Sequence, residues 1–335
     1  MSGADGVLGW GIVGLGRVAN DHIAPAITAL PNSSLVAVAS RDATRAAAFA
    51  ERHGAPVPLD SYPDLLANPA VQAVYIATPN SLHADQVVAA ADAGKHVLCD
   101  KPLATTVAEA QRAIDACARA GVGLGVTFQT RNYDGMADMR TLIGAGQIGD
   151  VVVAQLEMSP GRTLLKGWRT DPSLAGAGVM NNVGVHGYDL LRYLLDDEIV
   201  EVSAMLSSEP GFELDTTALA LLRFAGGALA YVNVNQTVPD HQPDLVIYGA
   251  SGRVLGRNVT RPNLAGTLTV TGTGGASERP VSSATAFATT VGDFADAVLA
   301  GRDPSPSALD ALVSVRVTDA LERSARERRV VRLAE

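Results

Sequence analysis

Apolar residues along the chain fall into short blocks, and the spacing of those blocks changes near residue 150. Val7–Val13 (VLGWGIV) is an apolar run ending in glycine, the pattern of a buried strand. It leads into GLGRVA (14–19) and a helix-like stretch to Leu30, which Pro31-Asn32 stops. Leu35–Ser40 predicts a second buried strand, and Ala-rich Ala43–His53 a helix that Gly54 ends. The alternation continues. Val71–Ala77 is a strand followed by TPNSLH, Ala84–Ala93 is a helix stopped by Gly94, and His96–Cys99 is a strand followed by Asp100-Lys101-Pro102. Thr105 or Thr106 caps a helix to about Ala120, and Val122–Phe128 is the next strand.

Beyond Asp150 strands follow one another. Val151–Glu157, Val200–Ser207, Ala218–Phe224, Ala228–Asn235 and Leu245–Gly249 all read as strands, with Gly226-Gly227 as a hairpin signal. Such a succession predicts an antiparallel sheet with one face packed and one free. A free face offers a surface for a homo-oligomer. Gly176–Asp189 starts a helix whose buried stripe continues through Leu190, Leu191, Leu194 and Leu195. Thr289–Ala300 and Ser307–Arg326 are helical, broken by DPSPS. The fold class is therefore α/β. A Rossmann domain is expected over 1–125 and an α/β domain over 126–335, whose last helix has the option of packing back on the first domain.

A chain of 335 residues suits two domains, and 47% hydrophobic against 18% charged residues excludes disorder. Net charge is -9, and the only Lys/Arg-rich run is the terminal RERRVVR. Nucleic-acid and anionic-membrane partners are not expected, because phosphate affinity needs clustered cations. Cys99 and Cys117 lack metal spacing and predict no disulfide framework, which fits a reducing cytoplasm. The start MSGADGVLGWGIVG has no basic segment before its apolar run, so neither a signal peptide nor a membrane span is expected. No metal site is predicted.

Gly14-x-Gly16-x-x-Ala19 fits a dinucleotide fingerprint between strand and helix. Gly14 permits the tight turn, Gly16 lets a pyrophosphate approach, and Ala19 lets the helix pack closely. Arg17 and Val18 lie within the same expected contact. The bland alternative is a glycine-rich turn without a ligand. At the second strand's end stand Ser40 and Arg41, with Arg45 four residues after Arg41 and no acidic residue at the strand end itself. Ser40 can donate to a phosphate and two arginines can flank it, which favours NADP(H), with NAD(H) as the alternative if both arginines are solvated. Asp42 suits a helix N-cap. Loops at the carboxyl ends of parallel strands carry ligands, and Thr78, Pro79, Asn80, His83, Asp100 and Lys101 fall there. Lys101 is either a cleft lysine tuned for acid/base work or a surface lysine beside Asp100. His186 lies four residues after Asn182, on the same helical face. It is either a satisfied core histidine or a proton carrier.

These stretches together resemble the glucose–fructose oxidoreductase / inositol dehydrogenase / MocA (Gfo/Idh/MocA) family. The resemblance rests on GLGRVA, TPNSLH, AGKHVLCDKPLA, QIGDV (147–151), GWRTDP (167–172), GAGVMNNVGVHGYD (176–189) and YGASGRVLGRN (248–258), and covers essentially the whole chain. The family's Glu-Lys-Pro is Asp100-Lys101-Pro102 here. Among subgroups, the Trp168-Arg169 pair, the YGASGRVLGRN stretch and the Ser40/Arg45 pattern look similar to NADPH-dependent 1,5-anhydro-D-fructose reductases.

The resemblance implies a second domain with a large, mostly antiparallel open sheet. It also implies hydride exchange between nicotinamide and a sugar or cyclitol alcohol or ketone. It assigns Lys101 and His186 to the reacting oxygen, and places Arg131, Trp168 and Arg169 near nicotinamide or substrate. Trp168 as a core anchor and Arg169 as a partner of Asp171 are the alternatives. The family aspartate four residues before the histidine is Asn182 here, which removes a charge that favours protonated imidazole and shifts proton transfer toward Lys101. Three activities remain in view: an NADP(H)-dependent sugar oxidoreductase, an NAD-dependent inositol or sugar dehydrogenase, and a catalytically weak nucleotide-binding sensor.

Overall fold

A computed structural model of the protein describes residues 6–261 and 265–333. Residues 1–5, the beginning of the stretch read for a leader, lie outside them. The chain divides into two compact units: residues up to 127 with 287–313, and 128–286 with 314 onward.

The first unit alternates strands and helices: β1 (Leu8–Val13), α1 (Ala24–Ala29), β2 (Ser33–Ala39), α2 (Ala43–His53), β3 (Val57–Leu59), α3 (Tyr62–Ala67), β4 (Ala73–Ile76), α4 (His83–Asp92), β5 (His96–Cys99), α5 (Val107–Ala120) and β6 (Leu124–Val126). Among the described residues its six strands pair in parallel in the order β3-β2-β1-β4-β5-β6. The order reverses between β1 and β4, which opens a crevice at their carboxyl ends. Continuous burial of β1 and β4 explains their unbroken apolar runs. Asp42 and Thr106 cap the starts of α2 and α5 and Gly54 ends α2, all as expected; Glu109 completes a reciprocal box with Thr106, and Gly121 ends α5 in the left-handed region, as Gly54 does for α2. Phe294, Val291 and Ala295, far along the chain, complete this core, with the Phe294 ring 5.3 Å from Trp10.

The second unit carries α6 (Met136–Gly144), β7 (Val151–Met158), α7 (Pro172–Ala175), α8 (Val185–Leu195), β8 (Ile199–Ser207), β9 (Thr217–Phe224), β10 (Leu229–Asn235), β11 (Leu245–Gly249), β12 (Gly252–Arg257), β13 (Ala265–Gly272) and β14 (Gly275–Ser282). Then come α9 (Ala286–Leu299), which belongs to the first unit apart from its first residue, α10 (Ala308–Glu327), in which the division falls, and β15 (Val331–Arg332). The strands make one sheet, ordered β14-β13-β12-β11-β7-β10-β9-β8-β15 among the described residues. Every pairing is antiparallel except β7 with β10. One face is covered by α8, which lies so close that a Cβ on Gly187 would stand 3.0 Å from Leu156 and 3.1 Å from Val232. The other face is open: Met205, Leu219 and Leu221 are 75%, 50% and 61% exposed. β12, β13 and β14, which were not read as strands from the sequence, enlarge the sheet. No helix among the described residues is long and apolar enough to cross a membrane.

Candidate functional site

In the first unit the strand ends form a row. Ala39 pairs with Val13, Val13 with Ile76, Ile76 with Cys99, and Cys99 with Val126. The residues that follow them therefore share one edge: Ser40 and Arg41, Gly14, Thr78, and Asp100 with Lys101. Gly14 has φ +87°, and a Cβ there would sit 2.5 Å from the Ala77 carbonyl and 2.6 Å from Thr78 N. Only glycine makes this turn. Gly16 has nothing within 4 Å of where its Cβ would be, the open flank that a pyrophosphate needs. Arg17 is exposed there, Val18 is half-buried against the core, and Ala19 is fully buried. The helix that starts here carries a wide turn at Ala19–Ile23, where Ala24 N donates five residues back to Ala19 O. The amino end of a helix leaves N–H groups without acceptors inside the helix and carries a partial positive charge. These features fit a dinucleotide.

Ser40 Oγ accepts from Asp42 N at 3.2 Å, and Asp42 Oδ1 accepts from Arg45 N at 3.1 Å, so Asp42 is the N-cap. Arg41 and Arg45 are exposed at this corner. Thr78 Oγ1 donates to Gln86 Oε1 at 2.5 Å, and Thr78 and Pro79 are half-buried. Asn80 is buried. Asp100 Oδ1 accepts from the backbone N–H of Lys101 at 3.0 Å, and the half-buried Lys101 precedes a cis Pro102.

His83, expected among the cofactor contacts, is buried at the foot of its loop. It is 1% exposed, with Nδ1 2.7 Å from the Pro102 carbonyl and Nε2 2.9 Å from the Thr78 carbonyl. Both nitrogens face carbonyl oxygens, and the neutral ring, with one N–H, donates to one of them at a time. The ring lies between the Thr78 loop and the Lys101-Pro102 corner. Burial pulls its pKa below the usual imidazole value, against the Pro102 carbonyl and the charge of Asp100.

In the second unit a wide turn at Met180–Gly184 runs directly into α8, with Val185 N bonded five residues back to Met180 O. The regular four-residue face expected from the sequence is thus built on a π turn, a form common at functional sites. Asn182 and His186 are both buried, at 5% and 9% exposure. Asn182 Nδ2 donates to Gln236 Oε1 at 3.2 Å, and the Phe128 ring stands edge-on to His186 at 6.5 Å. Asn181 Nδ2 donates to Ala175 O at 3.1 Å. Arg131, expected near the cofactor, forks onto Asp189 through Nε and Nη2. Trp168 and Arg169 lie half-buried in a short turn (Gly167–Thr170), with the guanidinium 4.3 Å above the indole ring. Trp168 is no core anchor, and Asp171 caps the next turn by accepting from Ser173. Asp215 and Gln236, which hold the start of the histidine helix, were not singled out from sequence.

Comparison with known proteins now decides the family. A model described as "Oxidoreductase family, NAD-binding Rossmann fold" matches residues 8–128, and the GFO/IDH/MocA C-terminal domain matches residues 136–255. The chain belongs to the Gfo/Idh/MocA family of oxidoreductases. A 1,5-anhydro-D-fructose reductase of Ensifer adhaerens is 33% identical over 312 residues, covering 91% of this chain and 92% of that protein. A D-xylose 1-dehydrogenase (NADP(+)) of Haloferax volcanii is 32% identical over 323 residues, covering 94% and 97%. The crystal structure of an aldose-aldose oxidoreductase from Caulobacter crescentus, complexed with glycerol, superposes with a TM-score of 0.91 at 30% identity, covering 98% of this chain and 100% of that one. Within this Gfo/Idh/MocA chain the resemblance drawn from sequence therefore stands, as do the Rossmann sheet and the mostly antiparallel second sheet.

Proposed function

We propose that the protein is an NADP(H)-dependent oxidoreductase acting on a sugar-like alcohol or ketone. The observation that carries this reading is the Gly14–Gly16 turn, closed on the protein side and open on the other, in one row of strand ends with Lys101. Bound nicotinamide supplies or accepts the hydride. Lys101 hydrogen-bonds the reacting oxygen, and His186 is the second group that holds or moves a proton. Asn182 brings no charge beside His186, so Lys101 carries more of the proton transfer. The exposed Arg41 and Arg45, with Ser40, hold the 2′-phosphate of the cofactor. Arg17 flanks the pyrophosphate, and Trp168 and Arg169 contact the substrate or nicotinamide. The names of the relatives support a sugar as substrate.

The test is reduction of a panel of keto sugars with NADPH and NADH, followed at the nicotinamide band. Turnover with NADPH favoured, and lost in Lys101→Ala and His186→Ala, supports the reading. Preference for NADH makes Arg41 and Arg45 surface charges and favours the NAD-dependent dehydrogenase. Tight cofactor binding without turnover of any substrate favours the sensor, the reading to which Asn182 lends weight.

The buried free thiols Cys99 and Cys117 suit a reducing cytoplasm. The open sheet face with Met205, Leu219 and Leu221 is proposed as the seat of a second copy. Met205→Glu with Leu221→Glu then turns a dimer into a monomer in light scattering; an unchanged mass for both overturns that assignment.

A further inference from the structure

Two strand-end residues grip the start of the helix that carries His186. Asp215 lies just before β9 and Gln236 directly follows β10. The Gln236 N–H donates to Thr216 O at 2.9 Å and extends the β9–β10 ladder by one rung. From this rung the Asp215 carboxylate accepts from Gly178 N at 3.0 Å and Met180 N at 3.3 Å. Its backbone carbonyl accepts from Val179 N at 2.8 Å. Gly178 has no room for a side chain, because a Cβ would lie 2.2 Å from the Asp215 carbonyl oxygen. The first N–H groups of a helix have no acceptor within the helix, so Asp215 acts as an N-cap supplied from a distant strand. Its charge also lies at the helix's positive end.

Gln236 takes hold two residues further along. Its side-chain oxygen accepts from Asn182 Nδ2, and both groups are buried, with Gln236 1% exposed. An amide is planar, so committing Nδ2 to Gln236 fixes the direction of Asn182 Oδ1 as well. The amide of Asn182 thereby has a dedicated partner at the position where the family pattern has a carboxylate. A carboxylate at 182 keeps the bond to Gln236 only if Gln236 turns its amide to donate.

We propose that Asp215 and Gln236 are positioning residues for the His186 half of the site. Asp215 sets where the helix begins, and Gln236 sets the orientation of Asn182, one turn before His186. The proposal rests on the reading of His186 as the group that moves the proton.

The test uses the full chain and three variants, Asp215→Asn, Gln236→Met and Gln236→Glu, beside His186→Ala. Turnover, substrate KM, cofactor dissociation by nicotinamide fluorescence, and melting temperature are measured for each. Asp215→Asn and Gln236→Met are expected to lower kcat about tenfold or more, as misplacement of a reacting group does, with cofactor affinity changed less than about twofold. Gln236→Glu, which keeps an oxygen to accept from Asn182, is expected to recover most of the kcat lost in Gln236→Met. A lower melting temperature with unchanged kcat in both variants overturns the proposal, provided His186→Ala abolishes turnover. Unchanged kcat in His186→Ala overturns the reading beneath it instead. If Asp215→Asn does not fold, the Met and Glu variants of Gln236 decide alone.

Discussion

Asp189 receives Arg131 through both of its carboxylate oxygens: Nε donates to Oδ2 at 2.8 Å and Nη2 to Oδ1 at 2.6 Å. The carboxylate side chain is 0% exposed and the arginine 10%. The fork ties the turn at Gln129–Asn132 to α8, three residues beyond His186. Deleting one partner of a buried pair strands the other charge. Arg131→Met is therefore expected to lower the unfolding free energy by about 3 kcal/mol in urea titration. Arg131→Lys keeps the charge but not the fork, and is expected to fall between the two. A melting curve unchanged in Arg131→Met refutes the structural role.

The two fingerprint glycines are expected to fail differently. Gly14→Ala forces a Cβ into the Ala77 carbonyl at a positive φ, so folding and cofactor binding both suffer. Gly16→Val meets no protein atom within 4 Å of its Cβ. It is expected to keep the wild-type melting temperature while weakening cofactor binding about tenfold or more, since its side chain fills the pyrophosphate flank. Equal cofactor affinity in Gly16→Val and wild type places the dinucleotide elsewhere.

The Rossmann half was legible because parallel strands are buried on both faces and leave unbroken apolar runs, each followed by its ligand-bearing loop. Caps such as Asp42 and Thr106 were legible for the same local reason. The far edge of the second sheet was not. β14 (GASERPVS) is exposed at nearly every position and contains Pro280, which an edge strand tolerates, so it has no alternation to read. The carbonyl neighbours of His83 were not legible, because they are set by how its loop meets the Pro102 corner. Asp215 is 37 residues from Gly178, and nothing in GFELDTT marks it out. Its task exists only once β9 and β10 pair. The wide turns at 19–23 and 180–184 also leave no trace in apolar periodicity.

Asn182→Asp puts a carboxylate one helical turn before His186, where the resemblance drawn from sequence expects one. A negative neighbour favours the imidazolium form. If His186 gives the proton in ketone reduction, the alkaline limb of the kcat profile is expected to move up by about one pH unit. The same limb in wild type and variant detaches His186 from proton delivery.

Glu322, on α10, makes stability depend on pH near neutrality. Burial, with the like charges of Asp215 and Asp319, pushes its carboxyl up to about 7, and Arg326 opposes this. The ordinary value is 4.5, so between 4.5 and about 7 the folded protein holds a proton that the unfolded chain has released. The contribution of this group is therefore full below 4.5 and lost as pH rises through 7. Glu322→Gln removes the titration. The variant is expected to match wild type in acid and to exceed it by about 1 kcal/mol at pH 8, a figure kept small because solvent screens the partly exposed carboxylate. Urea unfolding at several pH values measures the difference. If the wild-type loss between pH 5 and 8 persists undiminished in Glu322→Gln, another group is responsible. Asp215 is the next to examine, because burial raises its carboxyl despite the bonds it accepts from Gly178 and Met180.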